Sequence, residues 1–364
     1  MLAGFIRIAY VENRYRGNYG YRFQESLDSG RCPCGLGTNR SDVIVTAEDD
    51  VTNLDDYDVL IFVQDKGQKP VTPPLWKNIV SSAKEGQRRV YASVESVSNV
   101  RYLIPSVSKS NSPYHWSLTY HSMSDIPVPY GRYQPFEHGT ETENRDKNWA
   151  EGKTGLVAWM PSRKNTMWKR DEFVSSLQAY FQVDLFGTGY KTCNADIDSC
   201  MENIKNYKFY LAIENSCCSE YITDKLWKTF SWGIVPIVIG ASKEDYLRLA
   251  PPNSFIYADD FETPEDLGDY LRKLDNTDEF YNDYFQWRQE GEAFLDSSTR
   301  EMLGEDTDTS LYSCKTVCRV AKKFVNETSV ETGTHTGNNF DPGTSWWGKS
   351  CKACGSHTWI SQFN

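Results

Sequence analysis

Short apolar runs alternate with amphipathic segments through the first 290 residues of the chain. The runs that predict strands lie at 4–10, 43–45, 58–63, 89–94, 155–160, 183–186, 208–213 and 234–239. Strands that alternate with helical patterns are typical of parallel sheets covered by helices. The pattern therefore predicts an α/β architecture.

The length of the chain and two changes of composition predict its domains. At 364 residues the chain is longer than one hydrophobic core usually organises. A polar, glycine-containing stretch at 137–154 predicts a linker. We therefore expect a first domain over 1–140, a linker over 141–154, a second domain over 155–296 and a C-terminal tail over 297–364. The tail has sparse apolar periodicity and four cysteines, so we expect disulfides rather than a core to hold it.

One helix carries a complete set of start signals. In ETPEDLGDYLRKLD, Thr263 can cap the helix, Pro264 suits its first position and Asp266 completes a capping-box-like pair. One apolar face follows, formed by Leu267, Tyr270, Leu271 and Leu274. This segment is interpreted as scaffold.

The stretch 207–227, YKFYLAIENSCCSEYITDKLW, joins an apolar strand to a segment crowded with ionisable residues. With Ser219 as N-cap, a helix is predicted to run to about Trp232 and to end at Gly233. Apolar residues recur at every fourth position of this helix and form the face that is predicted to pack on the core. A separate stripe is formed by Tyr221, Asp224, Lys225 and Lys228. The stripe is therefore not expected to face the core.

The polar residues after this strand are predicted to lie at a ligand-binding edge. Glu214 and Asn215 end the strand beside a helix N-terminus, where open parallel sheets bind ligands and the helix dipole favours an anion. A nucleoside diphosphate fits such a site. The alternative is a solvated helix face with a chance mixture of Asp and Lys.

Two further segments carry candidate chemistry. Glu95 follows the strand-like run YASV, where its carboxylate is a candidate base, and a surface or capping role is the alternative. PSRKNTMWKRDEF concentrates four cations in an otherwise acidic protein, at Arg163, Lys164, Lys169 and Arg170. This second segment is either a phosphate-neutralising loop or a soluble turn.

Composition limits the partners. A formal net charge of −11 argues against nucleic acid or an anionic membrane surface as the main partner, because both require clustered Lys and Arg.

No run approaches the roughly 18 apolar residues of a membrane span. The opening MLAGFIRIAYVEN lacks the basic and long apolar regions of a signal peptide, so we expect any membrane anchor to lie outside this sequence. Aromatic residues make up 14% of the chain, which suits large cores and also stacking against sugars or bases.

The ten cysteines fall into five close pairs: Cys32/Cys34, Cys193/Cys200, Cys217/Cys218, Cys314/Cys318 and Cys351/Cys354. With N-x-S/T sequons at Asn39 and Asn326, the even count indicates an oxidising, glycosylating compartment. We expect at least four disulfides, with the tail tied to the first domain through Cys32 or Cys34. Zinc held by the four tail cysteines is the alternative, although C-x3-C is poor ligand spacing.

Several motifs resemble those of the α1,3-fucosyltransferases, glycosyltransferase family ten. YKFYLAIENSCCSEYITDKLW, with GIVPIVIG, PPNSFIYADDF and YNDYFQWR after it, is similar to the family's donor-binding signature. Further matches are GQRRVYASVES, YHWSLTYHSMSDIPVPYG and VDLFG, and together they cover about residues 86–290. The resemblance implies a GT-B fold, in which two Rossmann-like domains face each other across a cleft, the first binding the acceptor and the second GDP-L-fucose. It also implies an inverting enzyme of the Golgi lumen that is a type II membrane protein in its full-length form.

The resemblance also implies roles for single residues. Glu95 matches the family's general base, and Arg170 matches an arginine at the GDP phosphates. The other donor-binding positions are Asn215, Tyr221, Asp224 and Lys225. Asp224 stands where the family usually carries Glu, and its shorter side chain should still accept a hydrogen bond from a ribose hydroxyl. Val97 and His121 replace a proline and an arginine that are common in the family.

The implied reaction moves fucose from GDP-L-fucose to the 3-hydroxyl of GlcNAc in a glycan or glycoprotein. Glu95 would take the proton of that hydroxyl, while Arg170 and Lys225 stabilise the departing GDP. Because these cations neutralise the phosphates, no obligatory metal is expected, and activation by divalent cations stays open. The Asp-x-Asp strings at Asp56/Asp58, Asp196/Asp198 and Asp306/Asp308 carry little weight in an acidic chain.

The alternatives differ in acceptor and in class. GASKEDYLRLAPPNSF and YNDYFQWR resemble invertebrate core enzymes, which modify the innermost Asn-linked GlcNAc, and we favour this acceptor. CKAC near the C-terminus resembles Lewis-type enzymes, which modify N-acetyllactosamine. A non-catalytic glycan- or nucleotide-binding protein of the same fold is a second class. A nicotinamide-linked oxidoreductase is a third, but its nearest fingerprint, FGTGYKT, has Thr192 at the third glycine position.

Overall fold

The computed structural model describes residues 5–11, 31–36, 42–48, 54–64, 77, 81, 85–103, 114–137, 147–161, 166–187, 190, 197–295, 313–329 and 340–364. Its strands are β1 (Ile6–Val11), β2 (Arg31–Pro33), β3 (Asp42–Glu48), β4 (Val59–Val63), β5 (Arg88–Ser93), β6 (Trp116–Thr119), β7 (Gly131–Pro135), β8 (Gly155–Trp159), β9 (Val183–Leu185), β10 (Tyr207–Ile213), β11 (Cys217–Cys218), β12 (Val235–Ile239), β13 (Ile256–Tyr257), β14 (Gly291–Leu295) and β15 (Cys351–Lys352). Its helices are α1 (Val97–Val100), α2 (Arg170–Leu177), α3 (Ile197–Ile204), α4 (Asp224–Ser231), α5 (Lys243–Leu249), α6 (Pro264–Asp275), α7 (Asp278–Asn282), α8 (Cys314–Ser329) and α9 (Thr358–Ser361). None of the helices in the described residues has the length and apolarity needed to cross a bilayer.

The strands predicted from apolar runs are all present, as β1, β3, β4, β5, β8, β9, β10 and β12. The strands that the sequence did not predict are short or lie in antiparallel pairs. For example, β11 and β15 have two residues each, too few to show a period of two. The apolar pattern therefore predicted the parallel sheets but not their additions.

The described residues form two units, whose boundaries differ from those of the predicted domains. Unit 1 takes Met1–Pro129 and Asp296–Ser350, and unit 2 takes Tyr130–Leu295 and Cys351–Asn364. Residues of the predicted linker belong to unit 2, because Trp149 stacks on Phe285 with ring centroids 4.8 Å apart. The backbone N–H of Trp149 also donates to Asn282 Oδ1 at 2.9 Å. One tryptophan thus fixes a stretch that its polar composition had marked as a linker.

Unit 1 is built on a six-stranded sheet in the order β2-β3-β1-β4-β5-β6. Every neighbouring pair is parallel except β2 with β3. Strand β4, VLIFV, is buried at every position, as expected for a parallel strand that is covered on both faces.

Helix α8 packs into the core of unit 1, which corrects the expectation of a tail without a core. Its buried residues share one cluster with the sheet and follow helical spacing: Val317, Val320, Ala321 and Phe324. Glu327, on the last turns of the helix, accepts hydrogen bonds from Arg88 Nε at 3.3 Å and from Trp116 Nε1 at 3.1 Å. The helix is therefore held to the sheet by apolar packing and by a partly buried polar contact.

The disulfides confirm the predicted minimum of four and the link from the tail to the first domain. The described pairs are Cys32–Cys314, Cys34–Cys318, Cys217–Cys354 and Cys218–Cys351. The first two lie in unit 1 and the last two in unit 2. Cys200 is also disulfide-bonded, and Cys193 lies outside the described residues. The zinc alternative is wrong, because the four thiols that it needs are all bonded to other cysteines.

Unit 2 contains a five-stranded parallel sheet in the order β13-β12-β10-β8-β9. The central strand β10 is buried from Lys208 to Ile213. On α6 the predicted capping box is confirmed, since Thr263 and Asp266 exchange both hydrogen bonds. Both units are therefore Rossmann-like in having a mainly parallel sheet with helices between strands.

The last residues of the chain pack into unit 2. Trp359 and Ile360 belong to its core, and Trp359 Nε1 donates to the Phe261 carbonyl at 3.0 Å. Asp259 accepts from the backbone N–H groups of Ser356 at 2.8 Å and His357 at 3.1 Å, just before α9. The predicted tail is thus divided between two units and contributes to the core of each.

Candidate active site

Glu214 is a fully buried carboxylate that directly follows β10. It accepts hydrogen bonds from the Thr223 backbone N–H at 2.7 Å, from Thr223 Oγ1 at 3.0 Å and from Lys225 Nζ at 2.8 Å. Its carbonyl accepts from Trp168 Nε1 at 2.9 Å. A buried charge is costly unless it is paired and hydrogen-bonded. This donor set therefore makes Glu214 an organising group rather than a reactive one.

Gly240 directly follows the neighbouring strand β12, and the Glu214 side chain leaves no room for a larger residue at this position. A Cβ built on Gly240, after β12, would lie 2.7 Å from Glu214 Cγ and 2.9 Å from its Cβ. Carbon atoms do not approach so closely, so any other residue would displace the Glu214 side chain. The last glycine of GIVPIVIG is therefore part of the site.

Helix α4 begins at Asp224, five residues after the predicted N-cap at Ser219. The preceding residues cannot be helical, because Cys217 and Cys218 form β11 and Glu220 has a left-handed φ of 55°. Thr223 is the N-cap, and its hydroxyl donates to Glu214 instead of capping the helix. The Glu214 carboxylate thus accepts from the N-cap residue of this helix, and a nucleoside diphosphate at the helix N-terminus stays a prediction.

Two ion pairs lie on the first turns of α4. Lys225 Nζ is 2.8 Å from Glu214 Oε2, and Lys228 Nζ is 2.8 Å from Asp224 Oδ2. Burial raises the pKa of Asp224, but Lys228 and Lys225 lower it more, so the net pKa lies below its usual value. Asp224, Lys225 and Lys228 are half-buried, whereas a merely solvated helix face would leave them exposed.

Arg170 lies at the same end of β10. It is the first residue of α2 and is buried, which corrects its expected position in a loop. Its Nη1 donates to the Ile213 carbonyl at 3.1 Å, and its Nε donates to Thr166 Oγ1 at 3.3 Å. Burial lowers the pKa of Arg170, and the Glu214 and Asp171 carboxylates offset part of that effect. The guanidinium is therefore a fixed positive charge near Glu214.

The other two donor-binding candidates also lie close to the end of β10. Asn215 follows Glu214, its Oδ1 accepts from Ser216 Oγ at 3.1 Å, and its carbonyl accepts from the Met167 N–H at 3.3 Å. Tyr221 is 2% exposed, which corrects its expected place on an exposed stripe. Its ring meets the Tyr130 ring edge to face, with centroids 6.2 Å apart. All five candidates thus lie in unit 2 around one strand end.

Of the other three cations in the predicted phosphate loop, the structure describes one, Lys169, and it does not join this cluster. Lys169 forms an exposed ion pair with Glu172 at 3.6 Å. Arg163 and Lys164 lie outside the described residues. Within the described residues, no three His, Cys, Asp or Glu side chains are grouped so as to hold a metal ion.

Glu95 lies in unit 1, two residues after β5 and just before α1. Its side chain is half-buried, and Oε2 accepts from Asn99 Nδ2 at 2.8 Å. Of the two departures from the family pattern, Val97 is a buried residue at the start of α1. The His121 ring lies 4.5 Å from the Trp346 ring, and its Nδ1 accepts from the Met123 N–H at 3.1 Å. These contacts hold the His121 ring in place. Its side chain is also shorter than the arginine that is common at this position in the family.

Sequence reasoning missed the group that organises the site. Glu214 was taken as the end of a strand, and neither Thr223 nor Gly240 was assigned a role. The sequence did contain a signal for its burial, because a carboxylate that directly follows a continuous apolar strand is expected to have little access to solvent. Its partners could not be found, since Thr223 and Lys225 reach it through a turn whose left-handed residue was not predicted.

Comparison with known proteins identifies the family. The model for glycosyltransferase family 10 (fucosyltransferase), C-terminal part, matches residues 150–334, just over half of the chain. The chain belongs to glycosyltransferase family 10. The matched region contains β10, α4 and every donor-binding candidate described above. The resemblance stated from the motifs is therefore confirmed.

Curated relatives in the family are fucosyltransferases of two kinds. The chain is 40% identical over 182 residues to glycoprotein 3-alpha-L-fucosyltransferase A of Drosophila melanogaster, which covers 49% of this chain and 36% of that protein. It is 39% identical over 211 residues to 4-galactosyl-N-acetylglucosaminide 3-alpha-L-fucosyltransferase FUT6 of Pan troglodytes, covering 57% and 56%. The alignments thus span between about a third and somewhat more than half of these relatives' lengths.

Solved structures confirm the predicted fold class, GT-B. A crystal structure of an alpha1,3-fucosyltransferase aligns with a TM-score of 0.54 at 15% identity, over 93% of each chain. A structure of an alpha1,3-fucosyltransferase with GDP-fucose aligns with a TM-score of 0.51 at 14% identity, over 90% of this chain and 91% of that one. At these identities the likeness concerns the fold.

Proposed function

We propose that this family 10 protein is an inverting α1,3-fucosyltransferase that moves fucose from GDP-L-fucose to the 3-hydroxyl of a GlcNAc residue. The observation that carries the proposal is the charged cluster at the carboxyl end of β10. Arg170, Lys225 and Lys228 lie there beside the carboxylates of Asp171, Glu214 and Asp224, so three cations are concentrated at one strand end in a chain of net charge −11. Open parallel sheets bind nucleotides at this edge.

In the proposed donor site, Lys225 and Arg170 face the pyrophosphate and Asp224 accepts from a ribose hydroxyl. Asn215 and Tyr221 complete the proposed site. Glu214 does not contact the donor, because both of its carboxylate oxygens already accept hydrogen bonds from Thr223 and Lys225. It is a positioning residue that fixes the ammonium in one place before GDP-fucose arrives.

The reaction breaks the bond between fucose C1 and the diphosphate oxygen and forms one between C1 and the acceptor oxygen. The GDP oxygen leaves with the electron pair, and the cations of unit 2 stabilise its growing charge. Glu95 takes the proton of the acceptor hydroxyl, which makes the attack possible at neutral pH. Attack from the side opposite the leaving group inverts the configuration at C1.

For the acceptor, we favour the innermost Asn-linked GlcNAc of an N-glycan. The motifs that resemble invertebrate core enzymes and the similarity to the Drosophila glycoprotein enzyme support this choice. N-acetyllactosamine is the second candidate, favoured by the CKAC sequence and by relatives named for 4-galactosyl-N-acetylglucosaminide. Incubation with GDP-fucose, a core N-glycan glycopeptide and a lactosamine oligosaccharide distinguishes them: we expect the glycopeptide to gain fucose, and exclusive labelling of lactosamine would contradict the core assignment.

A non-catalytic protein of the same fold would bind GDP or glycans without consuming the donor. Release of GDP from GDP-fucose, measured with and without acceptor, separates this class from an enzyme. The proposed site of action is the Golgi lumen, since every described cysteine is disulfide-bonded, as in an oxidising compartment.

A further inference from the structure

A pocket lies in unit 2 at the opposite end of the sheet from Glu214. The side chain of Lys208, at the start of β10, donates to the Asp275 carbonyl at the end of α6 at 2.7 Å. The Lys208 carbonyl in turn accepts from Tyr281 Oη, on α7, at 2.7 Å. The ends of α6 and α7 that line this pocket are therefore about six residues of strand, roughly 20 Å, from the Glu214 cluster.

The pocket has a volume of about 310 Å³, and half of its lining residues are aromatic. Four rings line it, and none is fully buried: Phe255, Tyr270, Phe280 and Tyr284. Tyr270 Oη and Tyr284 Oη lie 2.7 Å apart, and the Phe255 ring packs against Tyr246 at 5.4 Å. Their contacts keep the rings in place without a ligand. The volume is at the small end of ligand pockets, about 300–1,000 Å³, and suits one or two sugar residues.

The polar groups of the pocket are balanced in charge. Lys273 and Asp283 are both outside the core, and Lys273 Nζ already lies 4.8 Å from the centroid of the Phe280 ring. Asn253 is exposed and its side chain makes no hydrogen bond within the described residues. Such a lining offers hydrogen bonds at the rim but no pair of cations for a phosphate or carboxylate.

We infer that this pocket binds a neutral sugar residue of a glycan. A pyranose ring presents an apolar face of C–H groups, which packs on aromatic rings, and a rim of hydroxyls, which Asn253, Lys273 and Asp283 can bond. A nucleotide or sialylated glycan would meet a single cation, Lys273, whose charge Asp283 offsets. The inference concerns binding alone and does not depend on the proposed transfer reaction.

Saturation-transfer NMR with the full chain tests the pocket, using cellotriose and mannotriose, which lack the GlcNAc of the proposed acceptor, as neutral probes and 3′-sialyllactose as an anionic one. Excess GDP is present throughout. We expect saturable millimolar binding of a neutral probe that Phe280→Ala weakens by about tenfold or more, the size of one stacked ring contact. Phe280→Tyr should retain binding.

Tyr180→Ala is the matched control, because Tyr180 is as exposed as Phe280, at 42%, and lies in the same unit outside the pocket. It should bind the probes as the unmodified protein does. The inference is overturned if neither neutral probe binds saturably, if Phe280→Ala binds them normally, or if the sialylated probe is the one that the pocket prefers.

Discussion

Two glutamates follow parallel strands in the two units, and their surroundings differ sharply. Glu95, after β5 in ASVES, is half-buried and accepts from Asn99 at 2.8 Å. Glu214, after β10 in AIENS, is 0% exposed and accepts three hydrogen bonds from Thr223 and Lys225. A glutamate within two residues of a strand end thus becomes either a half-buried carboxylate or a fully buried counter-ion. We assign catalysis to the first and positioning to the second because a base must reach its substrate.

The largest expected effect follows from Glu95→Gln. This change removes the proposed base while keeping an oxygen that Asn99 can bond. We expect kcat to fall by about two to four orders of magnitude, with GDP affinity and melting temperature nearly unchanged. Glu85→Gln is the control, since Glu85 is exposed and precedes the same strand. Near-normal turnover by Glu95→Gln would remove Glu95 from the mechanism.

Glu214→Gln should instead act on stability. It leaves Lys225 and the nearby Arg170 without their buried counter-charge, and breaking a buried pair costs about 3–5 kcal/mol. Bound GDP supplies negative charge to the same cations, so GDP should raise the melting temperature of this variant more than that of the unmodified protein. Scanning calorimetry with and without GDP measures both.

Glu202→Gln is the matched control for Glu214→Gln. Glu202 forms an ion pair with Lys205 at 2.6 Å, but its side chain is 70% exposed. An exposed pair contributes about 0–1 kcal/mol, so the melting temperature should hardly change. If the melting temperature falls equally in the two variants, the buried ion pair of Glu214 contributes no more to stability than an exposed pair does.

Lys225→Ala tests the group that Glu214 holds. The charge that Lys225 meets grows as the C1–O bond breaks, so both GDP affinity and transfer should decline. We expect a loss of about a hundredfold in kcat/KM, roughly 3 kcal/mol, the typical size of one such contact. Lys243→Ala serves for comparison, because Lys243 pairs with Asp260 at 2.7 Å on an exposed helix start. A Lys225→Ala enzyme with ordinary affinity and rate would refute the donor site.

The smallest effect is expected for Asp224→Glu, which restores the residue usual in the family. One added methylene keeps the charge and the pairing with Lys228 on the next turn. We expect kcat/KM for GDP-fucose to change by no more than about threefold, less than about 1 kcal/mol. A change in kcat/KM beyond about tenfold in either direction would mean that the length of the side chain at this position determines how GDP-fucose is used.

The parallel sheets were predictable from the sequence because their strands are continuous apolar runs. The start of α4 was not, because two disulfides and a left-handed Glu220 displace it, and neither leaves a local pattern. The face of α8 was present as Val317, Val320, Ala321 and Phe324, but its Ser- and Thr-rich surroundings obscured it. The positions of the donor-binding candidates followed from motif resemblance, whereas the burial of Glu214 depends on contacts nine and eleven residues along the chain.

We propose that Arg170, Lys225 and Glu95 suffice for transfer from GDP-fucose without a metal ion. The direct test is the reaction of the full chain with GDP-fucose and a core N-glycan glycopeptide in excess EDTA, with the anomeric configuration of the product read by NMR. We predict sustained turnover and an α-linked fucose, since Arg170 and Lys225 neutralise the leaving diphosphate. Complete loss of activity that added magnesium or manganese restores, or a product with retained configuration, would contradict the account.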